Sequence, residues 1–334
     1  MEAQGMVDTV GSAKQWLRTV TIGEGMHSKN LTIFPLYWRG DEAIASHEAP
    51  PSWGDDEVGD RKKVRYQLLA DAIEAKQARV EETSEAGDVP LLAVTNDGAM
   101  PILIPEGEIL IGAKQNRTVN LTLLVAGKTQ MRMPVSCVEA GRWSRKSRHF
   151  EAKAWAHPKL RELKVRSAQL YRRETGMARA DQGAVWKEVD DHLESFDIPA
   201  PTRDLALSFE EPAVHTSEYR EWIQLPDSAC GFLAARGEEV IGLDLFDSAE
   251  TLQKLWQRMS DAYFVEAARG DDRCEKTPSK VANEFLASVE KHLAPAEKQP
   301  QLGFEMELVD GDLSGSALWY DGAVCHLSAF TVNN

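Results

Sequence analysis

Two short stretches concentrate the groups that could do chemistry. They are Gly107-Glu-Ile-Leu-Ile-Gly-Ala-Lys-Gln-Asn-Arg117 and Pro134-Val-Ser-Cys-Val-Glu-Ala-Gly-Arg-Trp143. Lys114, Arg117 and Arg142 suit a pyrophosphate clamp, because cationic forks match phosphate oxygens and stay charged at physiological pH. The same cations can instead pair with Glu108 and Glu139 and close the end of a β-hairpin. Gln115 and Asn116 add amide donors and acceptors suited to ribose hydroxyls or a base edge. Glu108 suits acid/base work, or the holding of magnesium or another divalent ion; its alternative is a structural carboxylate that accepts backbone N–H bonds. Cys137 opposite Arg117 would ionise more readily and serve as a nucleophile. It also shares a face with Met133 and Val135, and free cysteine is among the most buried residue types. Glu108, Cys137 and Glu139 are the catalytic candidates. Trp143 can stack on an adenine ring or cap the core. Asp244, Asp247 and His326 lie on other strand patterns and can enter the same cleft, although a lone histidine there is more often a hydrogen-bonded core residue.

Several familiar signatures are missing. Gly127-Lys128-Thr129 looks like the end of a phosphate loop, but Thr122 stands where the first glycine belongs and no helix pattern follows. The chain has no GxGxxG, HExxH, paired CxxC or GxSxG. Asn30, Asn116 and Asn120 head formal glycosylation sequons that carry no meaning in a reducing compartment.

The elements that must position these groups follow from periodicity. Leu31–Trp38 reads as a strand, with Pro35 placing it at an edge or bulge. Residues 39–60, rich in Gly, Asp, Glu and Pro, read as a long mobile loop, and 61–76 as a helix. Leu91–Thr95 and Pro101–Ile104 read as a hairpin. Val119, Leu121 and Leu123 alternate with polar residues, as do Met131, Met133 and Val135 beyond Gly127. A three-residue loop at 126–128, with Gly127 in the left-handed position, puts both apolar sets on one face. Val119 then faces Val135, Arg117 faces Cys137 and Gln115 faces Glu139, so the two polar stretches meet at one hairpin end. Residues 150–176, 183–197, 252–259 and 281–293 read as helices; 230–244 and 316–327 read as hairpins, the latter turning at Asp321-Gly322. Strands and helices come in blocks, which predicts an α+β fold of antiparallel hairpins packed with several helices, with two subdomains as one arrangement.

Composition narrows the class. With 334 residues, 43% hydrophobic and 27% charged, the chain can bury a core and is neither a rod nor a disordered tract. No stretch is long and apolar enough for a membrane span, and the first residues lack the basic-then-apolar order of a secretion signal. Four scattered cysteines fit reduced thiols, so a cytoplasmic protein is expected. The net charge of −15 hides a basic segment: residues 142–173 carry eleven Lys or Arg against Glu151 and Glu162. That distribution disfavours general duplex binding. It fits a helix with a solvated basic face, or a local site for an anion, an RNA or a protein partner.

The two chemical stretches also carry a resemblance. Gly107-Glu-x-x-x-Gly-Ala-Lys-Gln-Asn-Arg117 and Pro134-Val-Ser-Cys-Val-Glu-x-Gly-Arg-Trp143 resemble the ARG and Rhodanese-Phosphatase-superfamily-associated protein domain, where ARG abbreviates ADP-ribosylglycohydrolase. Leu31–Leu36, Gly242–Asp247, Gly315–Leu318 and His326–Phe330 support the likeness over about 28–331, with 1–27 as an N-terminal segment. Within it we expect a β-rich part at 28–145, a helical part at 146–228 and a hairpin–helix–hairpin part at 229–331. The resemblance implies an α+β fold and an association with ADP-ribose or NAD-linked pathways. The resulting expectation is an enzyme acting on an ADP-ribose-like or other nucleotide-derived phosphorylated substrate. The alternative is a non-catalytic nucleotide-sensing or partner-binding module in a bacterial defence or stress pathway.

Overall fold

A computed structural model of the chain describes residues 2–38, 64–83, 90–142, 144, 147, 149–210, 216–269, 274–296, 302–308 and 310–332. The expected loop at 39–60 lies outside them. The chain opens with α1 (Glu2–Leu17), β1 (Val20–Ile22), β2 (Met26–Ser28) and β3 (Leu31–Trp38). A β-rich stretch follows: β4 (Gln67–Leu68), α2 (Leu69–Glu74), β5 (Ala78–Glu82), β6 (Leu91–Asn96) and β7 (Ile102–Ile104). It continues with β8 (Glu108–Gly112), β9 (Arg117–Val119), β10 (Leu123–Val125), β11 (Thr129–Cys137) and β12 (Phe150–Trp155). Four helices come next, α3 (Pro158–Thr175), α4 (Gln182–Glu194), α5 (Leu207–Glu210) and α6 (Ser217–Trp222). The last part contains β13 (Gly231–Arg236), β14 (Glu239–Phe246), α7 (Ala249–Ala268), α8 (Ser279–His292) and β15 (Leu293–Pro295). It ends in β16 (Phe304–Leu308), β17 (Leu313–Tyr320) and β18 (Ala323–Thr331). The fold is α+β.

One sheet of nine strands runs β1-β3-β13-β14-β18-β17-β16-β15, with β2 also beside β3. A six-stranded sheet runs β12-β8-β9-β11-β6-β5, and β10-β7-β4 make a third. All ladders are antiparallel except β4 with β7. Leu31–Trp38 is buried along its whole length. Its Pro35 lies where the neighbouring strand breaks between β1 and β2, so its missing N–H is not needed there. The closing hairpin turns as Asp-Gly predicts: Asp321 and Gly322 have φ of 49° and 83° and join the paired residues Tyr320 and Ala323.

Other expectations change. Residues 150–155 form β12, paired with β8, and the helix begins only at Pro158, whose ring suits the first helical turn. It stops at Gly176, φ 78°, where a left-handed residue closes the last turn. Of the helix expected at 61–76, residues 61–63 lie outside the described residues and the rest holds β4 and α2; α1 was not anticipated. Leu91–Thr95 and Pro101–Ile104 do not pair with each other; β6 lies between β5 and β11, and β7 between β4 and β10. The register Val119↔Val135 and Arg117↔Cys137 is present, but only along β9. Beyond it the chain leaves β11 and pairs Leu123–Val125 with β7. Lys128, at φ 60°, takes the left-handed position. Gly127 is required for another reason: a Cβ there would lie 2.1 Å from the Ala99 carbonyl oxygen.

Candidate functional site

At the β9–β11 end the two polar stretches meet and seal each other. Arg142 Nε and Nη2 donate to Glu139 at 2.7 and 2.6 Å. Nη1 donates to the Ala113 and Ser144 carbonyls at 2.7 and 2.9 Å, so the cation is saturated by local acceptors. The Asn116 backbone N–H donates to Glu139, and its amide donates to Asp204 at 2.9 and 3.0 Å. Gln115 donates to the Ala140 carbonyl and accepts from Arg117 Nη1 at 3.1 Å. Arg117 has no solvent exposure; its Nη2 stands 3.9 Å from Glu82, and its Nε and Nη2 make no hydrogen bond. Cys137 is also buried, and burial pushes its thiol up to about 11 against the pull of Arg117. A thiol held protonated in this way is a poor nucleophile at neutral pH.

Glu108 stands apart from that group. It accepts from Arg258 of α7 at 2.8 Å, while its second oxygen is buried without a bond. Burial raises its pKa and Arg258 opposes the rise. Lys114 is half-buried, and Trp143 lies outside the described residues. Among the described residues, no group of three or more His, Cys, Asp or Glu is arranged to hold a metal ion, and no helix is long and apolar enough to cross a membrane.

Asp244 and His326 belong to a second sealed network that sequence reasoning missed. Arg161 on α3, with no exposure, donates to Glu106 at 2.8 and 2.5 Å and to Asp244 at 2.8 and 2.6 Å. Burial would raise Asp244, but the Arg161 guanidinium outweighs it and holds the carboxyl well below the usual range. His326 bridges Asp244 at 3.1 Å and Thr122 at 2.7 Å. Gly107, φ 87°, makes room for Arg161, since a Cβ there would lie 2.7 Å from its Nε. Lys164, one turn along α3, donates to the Val119 carbonyl at 2.5 Å; burial lowers its ammonium to about 7 against Glu106. Arg172 is likewise buried and bonded to Glu305 at 2.7 Å. The basic helix is therefore not a uniformly solvated face, because three of its cations point inward. The available signal was their spacing: 161, 164 and 172 fall on the same face as Leu160 and Ala168.

An open cleft lies elsewhere. Where β14 ends and α7 begins, a cleft of about 530 Å³ is lined by Arg65, Tyr66, Asp71, Met100, Asp247, Thr251 and Lys254. None of Glu108, Arg117, Glu139 and Arg142 lines it. Asp247 is buried in its wall and accepts a short bond from the Tyr66 hydroxyl, which also lies 3.1 Å from Thr251 Oγ1. Arg65 Nη1 approaches the other carboxylate oxygen at 3.4 Å. Burial pushes Asp247 up to about 6, opposed by the Tyr66 bond and the Arg65 charge. Tyr66 is raised well above its ordinary value by burial and by Asp247, so it stays protonated. A buried carboxyl with a raised pKa at the wall of a ligand-sized cleft is a mark of a candidate functional site. Of this group only Asp247 was legible in the sequence, just beyond the strand that ends at Phe246. Arg65, Tyr66 and Thr251 carry no local signature.

No curated protein and no solved structure matches the chain. A family model does, over residues 19–330: the chain belongs to the ARG and Rhodanese-Phosphatase-superfamily-associated Protein domain family.

Proposed function

We propose that the chain is an enzyme acting on a nucleotide-derived phosphorylated compound of the ADP-ribose or NAD class, bound in the cleft beside Asp247. The observation that carries this reading is the Asp247 carboxyl, bonded to Tyr66, flanked by Arg65 and set in the wall of the cleft. In hydrolysis of a glycosidic bond, a carboxyl near 6 can take the proton of attacking water at pH 7 and pass it to the leaving group. Tyr66, kept protonated, donates its O–H to that carboxyl and holds it in place. The family description supports the substrate class through its link to ADP-ribosylglycohydrolase. In this reading the Arg142–Glu139 clamp and the Glu108–Arg258 pair hold the scaffold without touching ligand. A cytoplasmic location is supported by Cys137, Cys230, Cys274 and Cys325, all free.

The second reading is a non-catalytic sensor of the same ligands. It is favoured by the bonds that Tyr66 and Arg65 make to Asp247, which engage both oxygens of the carboxyl that catalysis would need. Asp247→Asn separates the two when wild type and variant are assayed with ADP-ribose. The enzyme reading expects turnover to vanish while binding persists; absence of turnover in the wild type, with binding intact in both, favours the sensor.

A further inference from the structure

We infer that the Asp247 cleft takes the uncharged half of such a ligand, ribose and base, and leaves its phosphates in solvent. This inference rests on reading the cleft as the ligand site. Its charges argue against a buried phosphate. Asp71, Asp247 and Glu250 line the cleft against Arg65 and Lys254. Both cations are already engaged: Lys254 with Asp71 at 3.0 Å and Glu250 at 3.1 Å, Arg65 with Asp247 at 3.4 Å and the Asp321 carbonyl at 3.1 Å. A phosphate in the interior would have to displace a carboxylate from each cation and then lie beside it. Sugar hydroxyls face no such penalty. A buried carboxylate is a natural acceptor for ribose hydroxyls, and Thr251 can give or take a further bond.

The rim supplies the other half of the argument. Among the described residues five large hydrophobics are exposed, and two of them, Val64 at 66% and Met100 at 39%, line this one cleft. Trp38 lines it as well. Exposed apolar side chains gathered at one cleft ask for an apolar cover. A flat heteroaromatic base provides one, and the Met100 sulfur gains further from contact with a ring. Ribose therefore sits against Asp247 and Thr251, the base on Met100 and Val64, and the phosphates extend outward.

Calorimetric titration of the full chain with adenosine, ADP-ribose and inorganic pyrophosphate tests this placement. Adenosine and ADP-ribose should bind within about tenfold of each other, and pyrophosphate should give no heat and no competition. Affinity for ADP-ribose should stay nearly flat between about 50 and 500 mM salt, because screening barely touches an uncharged contact. Met100→Asp should weaken adenosine by about tenfold or more without lowering the melting temperature. If ADP-ribose binds while adenosine does not, or pyrophosphate competes, the phosphates are what the cleft holds; the inference falls and the cleft survives as a site. If adenosine and ADP-ribose bind as well to Met100→Asp as to wild type, the ligand sits elsewhere and both readings fall. If nothing binds, they fall together.

Discussion

The hairpin end at Arg142 and the cleft at Asp247 use the same materials, a guanidinium against a carboxylate, and put them to opposite uses. Around Arg142 every nitrogen finds an acceptor, among them the Ala113 carbonyl of the facing turn, and the cation is buried. Around Asp247 the pairing is looser, with Arg65 at 3.4 Å, and a cleft of about 530 Å³ opens beside it. Matched charges crowded into neighbouring strands close on each other, because leaving either one buried and unpaired would cost several kcal/mol. The cleft stays open where the walls, charged residues included, come from segments far apart in the chain. Density of reactive residue types along a sequence thus marks closure as readily as catalysis.

The largest expected effect lies in the sealed interior. Arg161→Ala leaves Glu106 and Asp244 buried without their counter-ion and should cost about 3–5 kcal/mol in denaturant unfolding. A loss below about 1 kcal/mol would mean that the interior admits water and is not sealed. Arg142→Ala should cost about 3 kcal/mol by the same argument, and any ligand of the cleft should bind the variant unchanged. Loss of ligand binding in a variant that still folds would put the site back at the hairpin end.

The pH dependences sharpen the contrast. Lys164 loses its proton at about 7 in the folded chain but near 10.5 when unfolded, so the unfolded state binds more protons between those values. Stability should therefore rise with pH above 7, by about 2 kcal/mol up to pH 9, and Lys164→Met should flatten that slope. Asp247 runs the other way. Its folded carboxyl holds its proton up to about 6 against 3.8 unfolded, so stability is lost as pH rises from about 4 to 6. Asp247→Asn should remove that loss, of the order of 1–2 kcal/mol, with little change in melting temperature at acid pH. Parallel pH profiles for wild type and Asp247→Asn would show that the carboxyl is not buried against a cleft at all.

Much of the framework was legible in the residues. Period-two alternation around Val119 and Val135 fixed the local register, and Asp321-Gly322 fixed the last turn. The sequence reading failed where tertiary pairing overrode local pattern. β6 and β7 look like the two arms of one hairpin, yet β6 pairs with β5 and β11, and β7 with β10 and β4. Residues 150–155 continue smoothly into a helical pattern, and only the edge of β8, waiting for a partner, makes them a strand. The inward cations of α3 were hidden because charge composition reports number and not facing. Tyr66 and Arg65 could not be found in advance, since their role exists only once β14 delivers Asp247 to them.

Amide hydrogen exchange with and without ADP-ribose tests the central claim most directly, because it reports where along the chain a ligand quenches opening. The account predicts added protection in residues 64–71 and 247–254, which supply most of the cleft wall, with 112–117 and 137–142 unchanged. Protection confined to 112–117 and 137–142 would contradict it.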